Sequence, residues 1–396
     1  MAILTSDLKG RIYLLQAFYW MSFCSISGFA TVFLLSNTVP NSQIGLIIAL
    51  GSLLSVFAQF MTGILIDKIP RMTVRRVMLF FLALSTVVSL GTILFVKETV
   101  LMAILYCVLI VLLFNSQPLV TSLIYDYINE GADLSFSFSR GLGSMMYASF
   151  SFVMGLWLEQ HSTLWIPILS TGLSLVLLLI VWRLPELNQS VAHEADVQVP
   201  TNLGEFHKKY PSFLLFLIGV AVIFSFHTIV NVYLPQIVHH VGGGSKEIGF
   251  AIALAGFLEI PTMFGFKRLE ERVNVIILLR ISAIFFFIKA MIYLIAPNFL
   301  VLQAAQLLQA LSFALITPAY AHYINEWMAP NDRVKGQTFM MAGVTFGNVI
   351  GSLVGGWLLD MSGVSLLLVF GLVQACLGMI IILLSLRHKS EGNIST

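Results

Sequence analysis

Charge is what this sequence has least of. Of its 396 residues only 10% are Asp, Glu, Lys or Arg, while 58% are apolar. A typical soluble domain carries about 25% charged residues. Mean hydropathy is +0.93. A water-soluble fold of this length has nowhere to hide so much apolar surface. Soluble enzymes, nucleic-acid binders and disordered chains are therefore excluded. The net charge of +2 supplies no global field for a strongly acidic or basic partner. Cysteine is scarce too. Cys24, Cys107 and Cys376 all fall in apolar runs and read as small core residues, not as disulfides or a metal cluster. No Gly-rich phosphate loop ending in Lys-Ser/Thr is present, which argues against ATP-driven work by this chain alone. His239 and His240 have no further ligand types nearby, so no metal and no cofactor is expected. No cluster of His, Asp or Cys shares one depth, as an embedded enzyme would need. Alternating ten-residue segments are missing as well, which excludes a transmembrane barrel.

What is present is a series of long apolar runs. A membrane helix needs about 20 such residues. Twelve runs qualify: 12–36, 43–66, 77–96, 100–125, 139–159, 162–183, 212–238, 246–266, 274–296, 298–323, 336–360 and 363–386. The first is too long for a cleavable signal peptide and lacks an obvious small-residue cleavage site. Basic residues are distributed unevenly. Sixteen fall on the side of the N-terminus, the even-numbered loops and the C-terminus, against Lys97 and Lys246 on the other. Both termini are therefore expected in the cytoplasm. Short loops and the absence of an organelle-targeting segment suggest a bacterial inner membrane.

One long polar stretch, Arg183 to Tyr210, divides six runs from six. The expected organisation is an N-terminal six-helix bundle at 1–183, a cytoplasmic linker at 184–211, and a C-terminal bundle with a short tail at 212–396. The halves repeat. Ser42-Gln43-Ile44-Gly45 opens the second run and Ser245-Lys246-Glu247-Ile248-Gly249 opens the eighth, at an offset of 204. Arg140-Gly141 and Lys335-Gly336 open the fifth and eleventh. Trp157-Leu158 and Trp357-Leu358 close them. Duplicated helical bundles are the architecture of secondary transporters, whose site lies near the midplane.

The segment Gly63-Ile-Leu-Ile-Asp67-Lys68-Ile-Pro70-Arg71 resembles the Gly-x-x-x-Asp-Arg/Lys-x-Gly-Arg signature of the major facilitator superfamily, with Pro70 in place of the usual glycine. The resemblance covers nearly the whole chain. It implies an all-α membrane protein of twelve helices in two pseudo-symmetric bundles. It also implies a cytoplasmic conformational latch at Gly63, Asp67, Lys68 and Arg71. A carboxylate there would accept bonds from basic groups and a neighbouring helix N-terminus; the plainer alternative is loop charge that sets topology. Within the superfamily the second half is similar to the lactose-permease and phenylpropionate-permease branch, of the oligosaccharide:proton symporter type. Lys289 and Gln309 stand where that branch has a basic residue and a histidine. The carboxylate that releases the proton there would fall at Ser312, which lacks one. Any proton coupling must use another acid.

Ionisable groups at membrane depth are costly unless paired or wet, so each is a functional candidate. Glu259 lies roughly 10 Å from the inner end of the eighth run, Arg280 roughly 9 Å and Lys289 roughly 22 Å into the ninth, at 1.5 Å per residue. Depth pairs Glu259 with Arg280; the resemblance favours Lys289. Pro261, two residues after Glu259, removes a backbone donor and loosens that turn. A carboxylate that alternates between burial and a nearby cation would load and release a proton. Glu259 is the first candidate for this and Asp126 the second. The resemblance makes Arg140, in Arg-x-x-Gly, a substrate-binding group. Its partner acid would fall at Ser122, and Asp126 is the nearest acid. Neutral candidates are Asn115 and Gln117 before Pro118, His227 and Asn231 on one face, and Gln306 and Gln309. For each, interhelical hydrogen bonding is the alternative. Tyr19 and Trp20 could offer a stacking surface, or simply pack. The expectation is a monomeric, proton-coupled importer of a small polar solute such as a sugar or oligosaccharide, with the bilayer and that solute as its partners. The alternative is a proton-driven exporter of amphiphilic drugs or metabolites.

Overall fold

The computed structural model describes residues 2–69, 72–187, 206 and 208–386. Fourteen α-helices organise them: α1 (Ala2–Phe23), α2 (Ala30–Ser36), α3 (Asn41–Lys68), α4 (Val74–Leu94), α5 (Thr99–Asn129), α6 (Phe136–Leu158), α7 (Trp165–Trp182), α8 (Pro211–Val232), α9 (Leu234–His240), α10 (Ser245–Glu270), α11 (Val275–Ile295), α12 (Phe299–Leu307), α13 (Phe313–Trp327) and α14 (Pro330–Ser385). No strand occurs among the described residues. Among the described residues ten helices are long and apolar enough to cross a membrane, or eleven when a bent pair counts as one span. The last two apolar runs are fused in α14 and broken only at Gly363, φ 75° and ψ −167°. That backbone region is open essentially to glycine alone. Polar caps mark the helix starts. The side chains of Thr73, Ser135, Asn274 and Asn298 accept bonds from the first-turn amides of α4, α6, α11 and α12, which would otherwise be orphaned.

Three apolar runs are interrupted at depth. The first bends by 42° through a π-turn at Cys24–Gly28. Its break falls at Phe29, φ −109° and ψ 15°. The seventh breaks between α8 and α9 at Tyr233, φ −104° and ψ 18°. Residues 29 and 233 are 204 positions apart, the same offset as the sequence repeat. The tenth run gives way to a 3₁₀ turn, Leu308–Ala310, between α12 and α13. Non-helical backbone at membrane depth is tolerated where it is buried in protein or lines a cavity.

The chain forms two compact units. The first is Met1–Asp196 with Asn231–Phe257 and Ser352–Met361; the second is Val197–Val230, Leu258–Gly351 and Ser362–Thr396. In the first, α4 packs on α5 and α7, α1 on α6 and α3 on α5. In the second, α11 packs on α12 and α13. There too Gly347 and Gly351 of α14 lie so close to the Ala221 and Ser225 carbonyls of α8 that a Cβ would collide. Small residues allow such backbone contact within membranes. Large apolar side chains such as Phe57, Leu94 and Leu300 remain exposed, as expected of a multi-pass membrane protein surrounded by lipid.

The segment leading into α8 is pinned to the start of α14. Lys209 Nζ lies 2.6 Å from Asp332 Oδ2, and the Tyr210 hydroxyl donates to the same oxygen at 2.9 Å. The Lys209 ammonium bonded to Asp332 holds its carboxyl below the usual range. A lowered carboxyl stabilises the fold above its unfolded value, near pH 4, and loses that contribution as pH falls through the folded one. Thermal unfolding in detergent should therefore decline more steeply from about pH 5 to pH 3 in the parent than in Asp332→Asn. Parallel curves would remove the pin from the stability account.

Candidate functional site

The second unit contains a buried polar chain. Lys289 on α11 is 1% exposed and Gln309, in the 3₁₀ turn, 3%. Lys289 Nζ donates to Gln309 Oε1 at 2.5 Å. Gln309 Nε2 donates to Glu259 Oε1 on α10 at 2.8 Å. The charges dictate which way the amide points: reversed, its NH₂ would face an ammonium and its carbonyl a carboxylate. One amide thus bridges a cation and an anion. Such chains polarise one another in a low dielectric and are costly when one member is lost. The Lys289 ammonium also lies 5.9 Å from the centre of the Tyr293 ring. Arg280 is committed elsewhere, donating through Nη2 to the Leu386 carbonyl at the end of α14. Of the two cations weighed for Glu259, Lys289 is thus the one linked to it.

Depth counting favoured Arg280 because α10 runs further than its apolar stretch. It ends at Glu270, so Glu259 stands eleven residues, or roughly 16 Å, from that end. Lys289 is fourteen residues into α11, roughly 21 Å. A long lysine and one glutamine span the difference.

The first unit holds a cleft of about 90 Å³ lined by Gln16, Tyr19, Trp20, Gln117, Val120, Thr121, Phe136 and Arg140. Arg140 Cζ sits 3.8 Å from the centre of the Trp20 ring, a cation–π stack that fixes the guanidinium plane. Arg140 Nη1 donates to Ser144 Oγ at 2.5 Å. Trp20 Nε1 donates to Gln16 Oε1 at 3.0 Å, and the Tyr19 hydroxyl to the Leu113 carbonyl at 3.0 Å. Four of the sequence candidates, Tyr19, Trp20, Gln117 and Arg140, are thereby brought together. Gln16, Thr121 and Phe136 were not among them. Gln16 was within reach of sequence reasoning, being one turn before Trp20 on the same helical face.

The other candidates lie elsewhere. Asn115 donates from Nδ2 to Thr62 Oγ1 on α3 at 3.1 Å, the interhelical bond weighed as its alternative. Asp126 lines a second, smaller recess with Thr73, Arg75 and Tyr127. The His227 ring stacks on Phe313 with centroids 4.3 Å apart, with Phe224 and Phe286 at its edges. Asn231, one turn on, is exposed, and Gln306 on α12 is buried. In the signature segment, Gly63 and Lys68 belong to the exposed end of α3. The Asp67 side chain and Arg71 lie outside the described residues. No group of three or more metal-ligating side chains occurs among the described residues.

Residues 12–370 match the family described as MFS_1 like. The chain belongs to the MFS_1 like family. Among curated proteins none matches it. Solved structures share the MFS fold. The nucleoside transporter NupG superposes with a TM-score of 0.82 at 15% identity, covering 97% of this chain and 100% of that one. A bacterial homologue of the iron transporter ferroportin in an inward-facing state gives 0.71 at 12%, over 96% and 99%. A bacterial homologue of the human lysosomal transporter Spinster gives 0.68 at 13%, over 97% of each. These three solved structures are transporters rather than enzymes, and the all-helical, multi-span reading of the sequence agrees with the MFS fold.

Proposed function

We propose that the protein is a secondary active transporter working by alternating access, which couples uptake of a small polar solute, such as a sugar or oligosaccharide, to a proton. The observation that carries this reading is the Glu259–Gln309–Lys289 chain. It puts a carboxylate and a cation at membrane depth, linked through one glutamine amide, and intramembrane ionisable groups mark ion pathways. Glu259 takes the proton. The cleft around Arg140 takes the solute, through a fixed guanidinium, two glutamine amides and aromatic faces. This is the chemistry expected from the likeness to the lactose-permease branch, with Gln309 in the histidine's place. In this reading the chain works as a monomer in a bacterial inner membrane with both termini in the cytoplasm. Its bundles span 1–183 and 212–396, joined by the linker at 184–211, and Gly63, Asp67, Lys68 and Arg71 form the latch. Asp126 is a second proton candidate. Lys289, Gln306, Asn115, His227 and Asn231 are held as further solute contacts.

The test is external pH in de-energised cells that overexpress the protein, as sugars and aromatic acids are added one at a time. Alkalinisation with one compound is the expected result, and it names the solute class. A flat trace across the panel, with drug efflux from loaded vesicles, would replace this reading by the exporter.

A further inference from the structure

At the helix ends remote from the chain termini, within the first unit, one contact is built twice. Asp360, near the Gly363 break in α14, accepts from the Ser42 backbone N–H at 2.8 Å and from the Asn41 N–H at 3.1 Å, both at the start of α3. The Asn41 side chain adds a third bond at 2.9 Å. Glu159, just past α6, accepts from the Lys246 N–H at 3.0 Å, at the start of α10. Positions 42 and 246 are separated by 204 residues, the offset of the internal repeat.

The same doubling continues beneath. A Cβ on Gly45 would collide with the Ser352 carbonyl, and one on Gly249 with the Ser151 carbonyl. A Cβ on Gly356 would collide with the Asn41 carbonyl, and one on Gly155 would come within 2.8 Å of the Ser245 carbonyl. In each copy a helix start from one half of the sequence lies backbone to backbone against a helix from the other half, and a carboxylate closes the contact.

Capping of this kind is normally supplied from a helix's own flanking residues. For α3 it is not: Pro40 offers no side-chain cap, and the amides of Asn41 and Ser42 are served by Asp360 from across the chain. A bond between an exposed carboxylate and a helix start is worth little enough to be reversible. Separating the partners hands the orphaned N–H groups to water.

We propose that Asp360 and Glu159 are twin latches that hold this end of the protein shut, and that both must release before it opens. The basic-residue asymmetry puts this end outside the cell. The proposal rests on the alternating-access reading, but its test needs no transport.

Full-length protein, with Cys24, Cys107 and Cys376 replaced by alanine, is spin-labelled at His161→Cys with His240→Cys, or at Ser36→Cys with Met361→Cys. Pulsed EPR in proteoliposomes reads the separations. With both carboxylates present, each pair should give one short distance. Asp360→Ala or Glu159→Ala should raise the long-distance population about fivefold, and the double variant about twenty-five-fold, as expected for loss of one and two caps. Glu247→Gln should change neither pair, because Glu247 accepts from the Gly244 N–H just before its own helix. If the alanine variants are not monodisperse, Asp360→Leu with Glu159→Met, of similar shape but without an acceptor oxygen, carries the same test. Unchanged distances in a folded double variant overturn the latches, whatever transport does.

Discussion

Glu259→Gln should lower substrate accumulation about a hundredfold, the lower end of what a positioned proton-transfer group contributes, while exchange of labelled for unlabelled substrate continues. The side chain keeps its shape and can still accept from Gln309 Nε2, so the fold has little to lose. The ability to gain and give up a proton goes. Lys289 is then left as a buried cation with only a neutral amide beside it, the arrangement that costs most inside a protein. A second change, Lys289→Met, should therefore recover part of any loss in thermal stability without recovering accumulation. Such non-additivity is the mark of groups sharing one network. Full accumulation in Glu259→Gln would move the proton to Asp126.

Arg140→Ala should weaken solute binding by about ten- to a hundredfold, the range for losing hydrogen bonds from a charged donor. The maximal rate should fall less. Arg140→Lys should fail to restore binding. Its ammonium keeps the charge but neither the planar fork nor the stack on Trp20 that holds the fork in place. Trp20→Leu should reproduce part of the defect, because the guanidinium then loses the surface that orients it. Isothermal calorimetry on the purified protein, with the solute found by the pH assay, separates the three. Equal affinity in Arg140→Ala and the parent would take the cleft out of the binding site.

How far the sequence could be read depended on the range of the interactions involved. The membrane class, the apolar runs and the duplication were legible because length and hydropathy are local properties, and a bilayer demands about 20 apolar residues of every helix. The division of α14 was legible for the same reason, although no loop separates its two parts. Lys289 and Glu259 could be singled out because charge at depth is conspicuous. Their connection through Gln309 could not be, since it depends on where three helices meet and on four residues of α10 beyond its apolar stretch. The stack of Arg140 on Trp20 joins positions 120 residues apart, and no pattern in either segment announces it. Asn115 shows the opposite limit. Its buried amide is a cavity candidate, and its Nδ2 also bonds Thr62 on the neighbouring helix. Composition cannot tell those two situations apart.

The breaks at Phe29 and Tyr233 have a consequence for the history of the molecule. Around them the two halves have diverged. Gly28-Phe29-Ala30 and Val232-Tyr233-Leu234 share only an aromatic ring at the centre. Yet the backbone leaves the helix at the same repeat position, with φ and ψ within a few degrees. The break has outlasted the residues that flank it. What the two halves share at this point is a break in the helix, and its surroundings were free to be rewritten.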